Sequence, residues 1–274
     1  MAFFENIKNT LSRHGILTKI IAINAAVFLT INLVGNLSHL NLLPLFGLPI
    51  GGSAFVTKFW TFFTYMFTHM NLGHLFWNML LFYFMAQVFF TILGEKKLVY
   101  LYVMSGLCGG ALVLMMGLLL PASFADSILI GASAAVLGVG AVMAVYSPNY
   151  RVYLFGLLEM PYKYFYLLTF VLSTIIDLSV NTGGKISHIG GAAFGIIYGL
   201  SLKKGTDLSR FSFGFKKKSH LRVVSYKNDD EPVVASGTEE QRMNRLLDKI
   251  SKGGYDSLTK KEKDELYKLS QKKN

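Results

Sequence analysis

Charged residues are distributed very unevenly along this 274-residue chain, and this limits the possible folds more than any other feature. Residues 1–202 contain 9 Lys and Arg and 5 Asp and Glu, whereas residues 203–274 contain 18 and 11. The first part is too apolar to fold in water, and the second part is too charged to cross lipid. This contrast excludes a single soluble domain and a disordered chain, and the single cysteine, Cys108, excludes a disulfide scaffold.

Uncharged stretches in the first part predict six membrane-spanning helices. A spanning helix needs about 20 mainly apolar residues, because the hydrocarbon core of a bilayer is about 30 Å thick. Charged residues and prolines bound six such stretches: residues 20–37, 69–93, 98–120, 127–146, 164–180 and 186–202. We therefore expect an all-α membrane protein with a six-helix bundle over residues 20–202, preceded by a cytosolic segment of residues 1–19.

Basic residues in the predicted loops indicate the orientation of this bundle, because short cytoplasmic loops are enriched in Lys and Arg. With six spans, one side of the membrane receives only Lys58 and Lys185. The other side receives the basic tail together with Lys8, Arg13, Lys19, Lys96, Lys97, Arg151 and Lys163. We therefore expect both termini in the cytoplasm.

Four polar residues inside the predicted spans are candidates for a functional site, since polar groups are costly in lipid and usually face the bundle interior. They are His74 and Asn78 on span two, Ser133 on span four and His188 on span six. At about 1.5 Å per residue from the cytoplasmic ends, Asn78, Ser133 and His188 lie roughly 25, 27 and 22 Å above the inner boundary. Their similar depth would allow three helices to form one polar site.

A serine and a histidine at one depth are typical of nucleophilic catalysis. His188 could take the hydroxyl proton of Ser133 as a general base and return it to a leaving amine. The side chains of His74 and Asn78, with the backbone N–H of the serine, could stabilise an oxyanion. Each residue also has an ordinary explanation, because a serine in a membrane helix often bonds to its own backbone and a histidine can be a packing residue.

Taken together, three sequence motifs resemble those of the rhomboid family of intramembrane serine proteases. The similarity covers about residues 18–202, and the motifs lie on three spans in the order that the family has. They are His69-x4-His74-x3-Asn78 in span two, Gly131-Ala132-Ser133 in span four, and His188-x2-Gly191-x3-Gly195-x3-Gly199 in span six. Small residues at four-residue intervals also permit close helix packing.

The resemblance implies roles for these residues and a function for the protein. Ser133 would be the nucleophile and His188 the base of a catalytic dyad, with His74 and Asn78 at the oxyanion site. The supporting positions would be His69, Gly131 and Gly191. The resemblance implies cleavage of membrane-protein substrates near the outer face of a bacterial inner membrane, with neither a cofactor nor a metal ion.

The chain departs from the family pattern at a few positions. Ala134 follows the serine where glycine is usual, and Leu137 occupies a position where the family often has a tyrosine. Thr61 follows Trp60 in place of an arginine, and Ser187 precedes the histidine in place of an alanine. None of these changes removes a group that transfers a proton.

Several alternatives remain open at this point. Asp177 in span five lies at a similar depth and could complete a triad, although the resemblance favours a dyad. A non-proteolytic rhomboid-like chaperone or adaptor is the alternative function, but such relatives generally lack the serine or the histidine. A transporter would predict inverted repeats, and a zinc protease would require His-Glu-x-x-His; the sequence has neither.

The charged tail predicts a basic linker over residues 203–238 and a small soluble helical hairpin over residues 239–274. Met243, Leu246, Leu247 and Ile250 have helical spacing, and Thr259-x-x-Glu262 is typical of a capping box that opens a second helix. Its lysines could hold it to anionic lipid of the bilayer, although ordinary solvation in the cytosol is the favoured interpretation. Nucleic acid is not an expected partner, because acidic residues dilute the basic ones.

Overall fold

A computed structural model describes residues 5, 8–9, 12, 15–51, 54–154, 158–176, 181–211 and 238–271. We label eight helices in chain order: α1 Gly15–Ser38, α2 Leu72–Leu93, α3 Leu98–Leu119, α4 Ser133–Tyr146, α5 Tyr162–Phe170, α6 Thr182–Lys203, α7 Glu239–Gly253 and α8 Lys260–Gln271. A π-helical turn, Val171–Ile175, continues α5. Most of the N-terminal segment 1–19 and most of the linker 203–238 lie outside the described residues.

Three of the described helices, α1, α2 and α3, are long and apolar enough to cross a membrane by length and composition. Helix α4 is apolar but has only 14 residues, and α5 has 9 before its π-helical turn. Helix α6 has 22 residues but is rich in glycine and polar side chains. The count of six spans therefore stays a prediction.

Two predicted helices begin later than the sequence pattern suggested. Helix α2 starts at Leu72, because the side chain of Asn71 accepts a hydrogen bond from the backbone N–H of His74 at 2.8 Å and caps the first turn. Helix α4 starts at Ser133, because Gly131 has a φ of +116°, which a right-handed helix cannot contain. The predictions of helix from residues 69 and 127 were wrong at these ends.

Two short antiparallel strand pairs, absent from the all-α prediction, also occur. Strand β1, Leu48–Pro49, pairs with β2, Ile128–Leu129, so that Leu48 lies opposite Leu129. Strand β3, Arg151–Leu154, pairs with β4, Leu158–Pro161. The first pair matters for the candidate site, because it fixes the chain just before Ser133 against the loop that follows α1.

Helix α4 lies at the centre of the bundle and packs against α2, α3, α5 and α6. Every residue from Ala134 to Met143 is buried. The contact with α6 is unusually close, because a Cβ on Gly191 would overlap the backbone carbonyl oxygen of Ala134, and one on Gly195 would overlap that of Gly138. Helix α6 therefore lies backbone to backbone against α4, as the glycine spacing predicted.

Polar contacts join the helices at the end of the bundle that holds the C-terminus of α6. Asp207 lies 3.0 Å from Lys97 Nζ and accepts hydrogen bonds from Tyr198 Oη at 2.7 Å and Ser209 Oγ at 2.6 Å. Partial burial raises the pKa of Asp207, but the hydrogen bonds from Ser209, Tyr198 and Lys97 outweigh this effect. They hold the pKa of the carboxyl group well below its ordinary value, so the group is ionised at neutral pH.

Asp207→Asn is expected to lower the free energy of unfolding at pH 7 by about 1–2 kcal/mol, because hydrogen bonds to a charged group are among the stronger ones. A pKa depressed by folding stabilises the protein above the unfolded value of about 4, and this contribution is lost as the pH falls. The difference in unfolding temperature between the variant and the wild type should therefore be smaller in acid than at pH 7. Asp126→Asn, at an exposed carboxylate, is the control; an equal effect of both substitutions would contradict the prediction.

The C-terminal helices form a separate compact unit. Helix α7 begins with a capping box between Thr238 and Gln241, and α8 begins where Thr259 and Glu262 exchange hydrogen bonds. Lys249 Nζ lies 2.7 Å from Glu262, which links α7 to α8. The hydrogen bond from Lys249 is the main cause that lowers the pKa of Glu262 to about 2.

Candidate active site

Ser133 and His188 lie in direct contact, although 55 residues separate them in the sequence. The distance between Ser133 Oγ and His188 Nε2 is 2.7 Å, which is a short hydrogen bond. Ser133 is the first residue of α4, and His188 lies in the second turn of α6, whose first turn is capped by the side chain of Asn181. The close packing of the two helices over Gly191 brings these side chains within reach.

The turn before Ser133 places the imidazole of His74 next to the serine. A Cβ on Gly131 would lie 2.9 Å from both Cε1 and Nε2 of His74 and 3.7 Å from Ser133 Oγ. The backbone N–H of Gly131 donates to the carbonyl oxygen of Tyr65 at 3.0 Å. Only glycine satisfies both the positive φ and the close approach of the imidazole.

Asn78 and His69 both contact His74. The side chain of Asn78 donates one hydrogen bond to the carbonyl oxygen of His74 at 2.8 Å, which uses one of its two N–H groups. His69 is fully buried before α2, and its ring centroid lies 5.0 Å from that of His74 in an edge-to-face arrangement. The structure thus brings together all the residues that the sequence placed at the site.

The structure also places Thr174 at the site, which the sequence analysis missed. Thr174 Oγ1 lies 3.2 Å from His188 Nδ1, the ring nitrogen on the side away from Ser133. Thr174 belongs to the π-helical turn after α5 and is buried. Its only sequence signal was a polar side chain in a predicted span. Asp177, considered above as a third catalytic residue, lies outside the described residues.

A cavity of about 910 Å³ opens over the contact between Ser133 and His188. This volume lies in the range of about 300–1,000 Å³ that is typical of ligand sites. Its wall includes all four candidate residues, His74, Asn78, Ser133 and His188, and several apolar side chains such as Trp77 and Leu172. Within the described part of the chain, no group of three or more His, Cys, Asp or Glu side chains could hold a metal ion.

Comparison with known protein families identifies the family of the chain. A family model described as the rhomboid domain matches residues 56–205, which is more than half of the chain. The chain belongs to the rhomboid family. The resemblance inferred from the three motifs is therefore confirmed, and the rhomboid domain includes every candidate site residue. With its apolar helices, the domain identifies an integral membrane protein of a family that acts on membrane-protein substrates within the bilayer.

The other comparisons add one match and one negative result. A second family model, described as a family of unknown function (DUF6576), matches residues 235–272 and so covers α7 and α8. No curated protein matches the chain.

Proposed function

We propose that this rhomboid protein is an active intramembrane serine endopeptidase, with Ser133 as the nucleophile and His188 as its general base. The observation that carries the proposal is the 2.7 Å contact between Ser133 Oγ and His188 Nε2 at the edge of a large cavity. A nucleophile within hydrogen-bond reach of a base is the arrangement that covalent peptide hydrolysis requires.

The reaction follows from this contact. Ser133 Oγ attacks the carbonyl carbon of the scissile peptide bond, and its proton passes to His188 Nε2. The C–N bond then breaks, and the histidine gives the proton to the leaving nitrogen. Water attacks the resulting acyl-enzyme ester with His188 again as the base, which releases the second product and restores the serine hydroxyl.

Three groups are arranged to stabilise the negative oxygen of the tetrahedral intermediate. The imidazole of His74 lies against Gly131 beside the serine, and Asn78 retains a second N–H in the cavity wall. Ser133 begins α4, so its backbone N–H belongs to the first turn, where such groups have no acceptor within the helix. The positive end of the helix dipole also favours an anion there.

Asn78→Ala is expected to lower kcat by about a hundredfold, which is typical for the loss of one oxyanion donor. Initial rates of cleavage of a transmembrane substrate in detergent would measure it. Asn32→Ala is the matched control, because Asn32 on α1 also donates to a carbonyl four residues back, at 2.9 Å, and should leave kcat unchanged. Equal rates for Asn78→Ala and the wild type would exclude a role for Asn78 at the oxyanion site.

The same proposal includes a topology and a location. We place six spans in a bacterial inner membrane, with both termini and the α7–α8 unit in the cytoplasm. The basic residues of the loops support this orientation. With the active serine at the start of α4, cleavage would occur near the outer face. In a Ser123→Cys variant, the new thiol, in the short helix Pro121–Phe124 that follows α3, should then react with a membrane-impermeant reagent only from the outer side.

A fluorophosphonate probe tests the proposed function most directly, because it reacts only with an activated serine. We expect it to label the purified wild-type protein, and mass spectrometry should locate the adduct on Ser133. A non-proteolytic chaperone or adaptor would give no adduct there and would not cleave a transmembrane substrate. That result would overturn the proposal.

A further inference from the structure

The position of the proton on His188 decides whether the histidine can act as a base. Nε2 can accept the proton of Ser133 only if Nε2 carries none, so in the neutral ring the proton must lie on Nδ1. Thr174 Oγ1 lies 3.2 Å from Nδ1. A threonine hydroxyl can donate or accept, so this contact by itself permits either tautomer.

The neighbours of Thr174 favour one of these two directions. Thr174 Oγ1 lies 3.5 Å from Ser173 Oγ, and Ser173 Oγ donates to the carbonyl oxygen of Phe170 at 3.4 Å. A carbonyl oxygen can only accept, so the proton of Ser173 points towards it. In that orientation Ser173 Oγ can accept from Thr174 over a long contact of 3.5 Å, and Thr174 Oγ1 can accept from His188 Nδ1 at 3.2 Å.

We infer that Thr174 is a positioning residue, whose hydroxyl accepts a hydrogen bond from His188 Nδ1 and so favours the tautomer in which Nε2 carries no proton. This inference rests on the proposed protease function. Thr174 orients the imidazole from the side opposite Ser133 and stabilises the tautomer that leaves Nε2 free to accept. A hydroxyl is neutral, so its effect is smaller than that of a carboxylate in the same position.

The geometry separates this role from substrate binding. Leu172 and Ser173 line the cavity, whereas Thr174 lies behind the imidazole with only 7% of its surface exposed. A change at Thr174 should therefore alter the efficiency of the base and leave substrate affinity unchanged. The kinetic signature is a lower kcat with a constant KM.

Thr174→Val tests the inference, because valine has nearly the same shape and lacks the hydroxyl. We expect kcat to fall about tenfold, which corresponds to about 1.4 kcal/mol, with KM within about twofold of wild type. Fluorophosphonate labelling of Ser133 should slow by a similar factor. Thr174→Ser restores the hydroxyl and should return kcat to within about threefold of wild type.

Thr169→Val is the matched control. Thr169 is a buried threonine on α5 whose hydroxyl donates to the carbonyl of Phe165 at 2.9 Å, so the same substitution there tests only packing and should leave kcat unchanged. Wild-type kcat in Thr174→Val would overturn the inference, and so would a Thr174→Ser variant as slow as Thr174→Val. If the wild type cleaves while Thr174→Val is unaffected, only this inference fails; a wild type without cleavage or labelling refutes the proposed function as well.

The tautomer can also be measured without a substitution at Thr174. The ¹⁵N resonances of a neutral imidazole ring show which of its two nitrogens carries the proton. We expect His188, assigned by comparison with His188→Gln, to carry it on Nδ1. A proton on Nε2 would contradict the inference, whatever the activity of the variants.

Discussion

Ser133→Ala is expected to abolish cleavage of a transmembrane substrate, with kcat at least about 10⁴-fold below that of the wild type. The substitution removes the oxygen that would form the covalent bond, which is the hydroxyl 2.7 Å from His188 Nε2. The assay is cleavage by purified protein in detergent, followed by separation of the two products. Undiminished cleavage by the Ser133→Ala variant would refute the proposed mechanism.

A control variant, Ser105→Ala, and a double variant of Ser133 and His188 complete this test. Ser105→Ala removes the hydroxyl of a buried serine on α3, so it should preserve the activity that Ser133→Ala loses. His188→Ala should reduce kcat nearly as much as Ser133→Ala, and the double variant should be no slower than the worse single variant. Nucleophile and base act as one unit, so their effects do not add.

Gly191→Ala is expected to destabilise the bundle by about 3 kcal/mol and to inactivate it, the second largest effect that we predict. The new Cβ would overlap the carbonyl oxygen of Ala134, so α6 must move away from α4. His188 lies one turn before Gly191, and the movement would break its contact with Ser133. Thermal unfolding in detergent and cleavage rates would measure the two consequences.

Two other glycines provide a graded comparison for Gly191→Ala. A Cβ on Gly199 would lie 3.0 Å from the carbonyl oxygen of Val142, so Gly199→Ala should cost less, about 1 kcal/mol. On Gly73 the nearest atom would be Asn71 Oδ1 at 3.4 Å, an ordinary contact, and Gly73→Ala should not reduce stability. If the Gly191→Ala variant unfolds at the same temperature as the wild type, this result would contradict the close packing of α4 against α6 at Gly191.

Much of the bundle could be predicted because helical periodicity and hydropathy are local properties. The bounds of α3 and the C-terminal ends of α1, α2 and α4 agree with the predicted ends within one residue. The start of α4 could not be predicted. It depends on the pairing of Leu129 with Leu48, which lies about 80 residues earlier in the chain. An apolar run that forms a strand looks the same as the first turns of an apolar helix.

At the candidate site, too, some residues could be found from the local sequence, and one could be found only from the tertiary structure. Motif spacing identified Ser133, His188, His74 and Asn78, because each is a costly polar group in an apolar stretch. Thr174 was missed, because a single threonine in a membrane helix usually bonds to its own backbone. Only its position beside His188 Nδ1 distinguishes it from Thr169, which does bond in that way.

The sequence by itself indicated an integral membrane protein with a charged tail, and it singled out a few polar residues as candidates for a functional site. These conclusions depend on composition, periodicity and spacing, which are read along the chain. The tertiary structure decided which helices are neighbours, how closely α4 and α6 approach, and which atom faces each nitrogen of His188. Such distances depend on contacts between residues far apart in sequence, and a hydrogen bond forms or fails within a few tenths of an ångström.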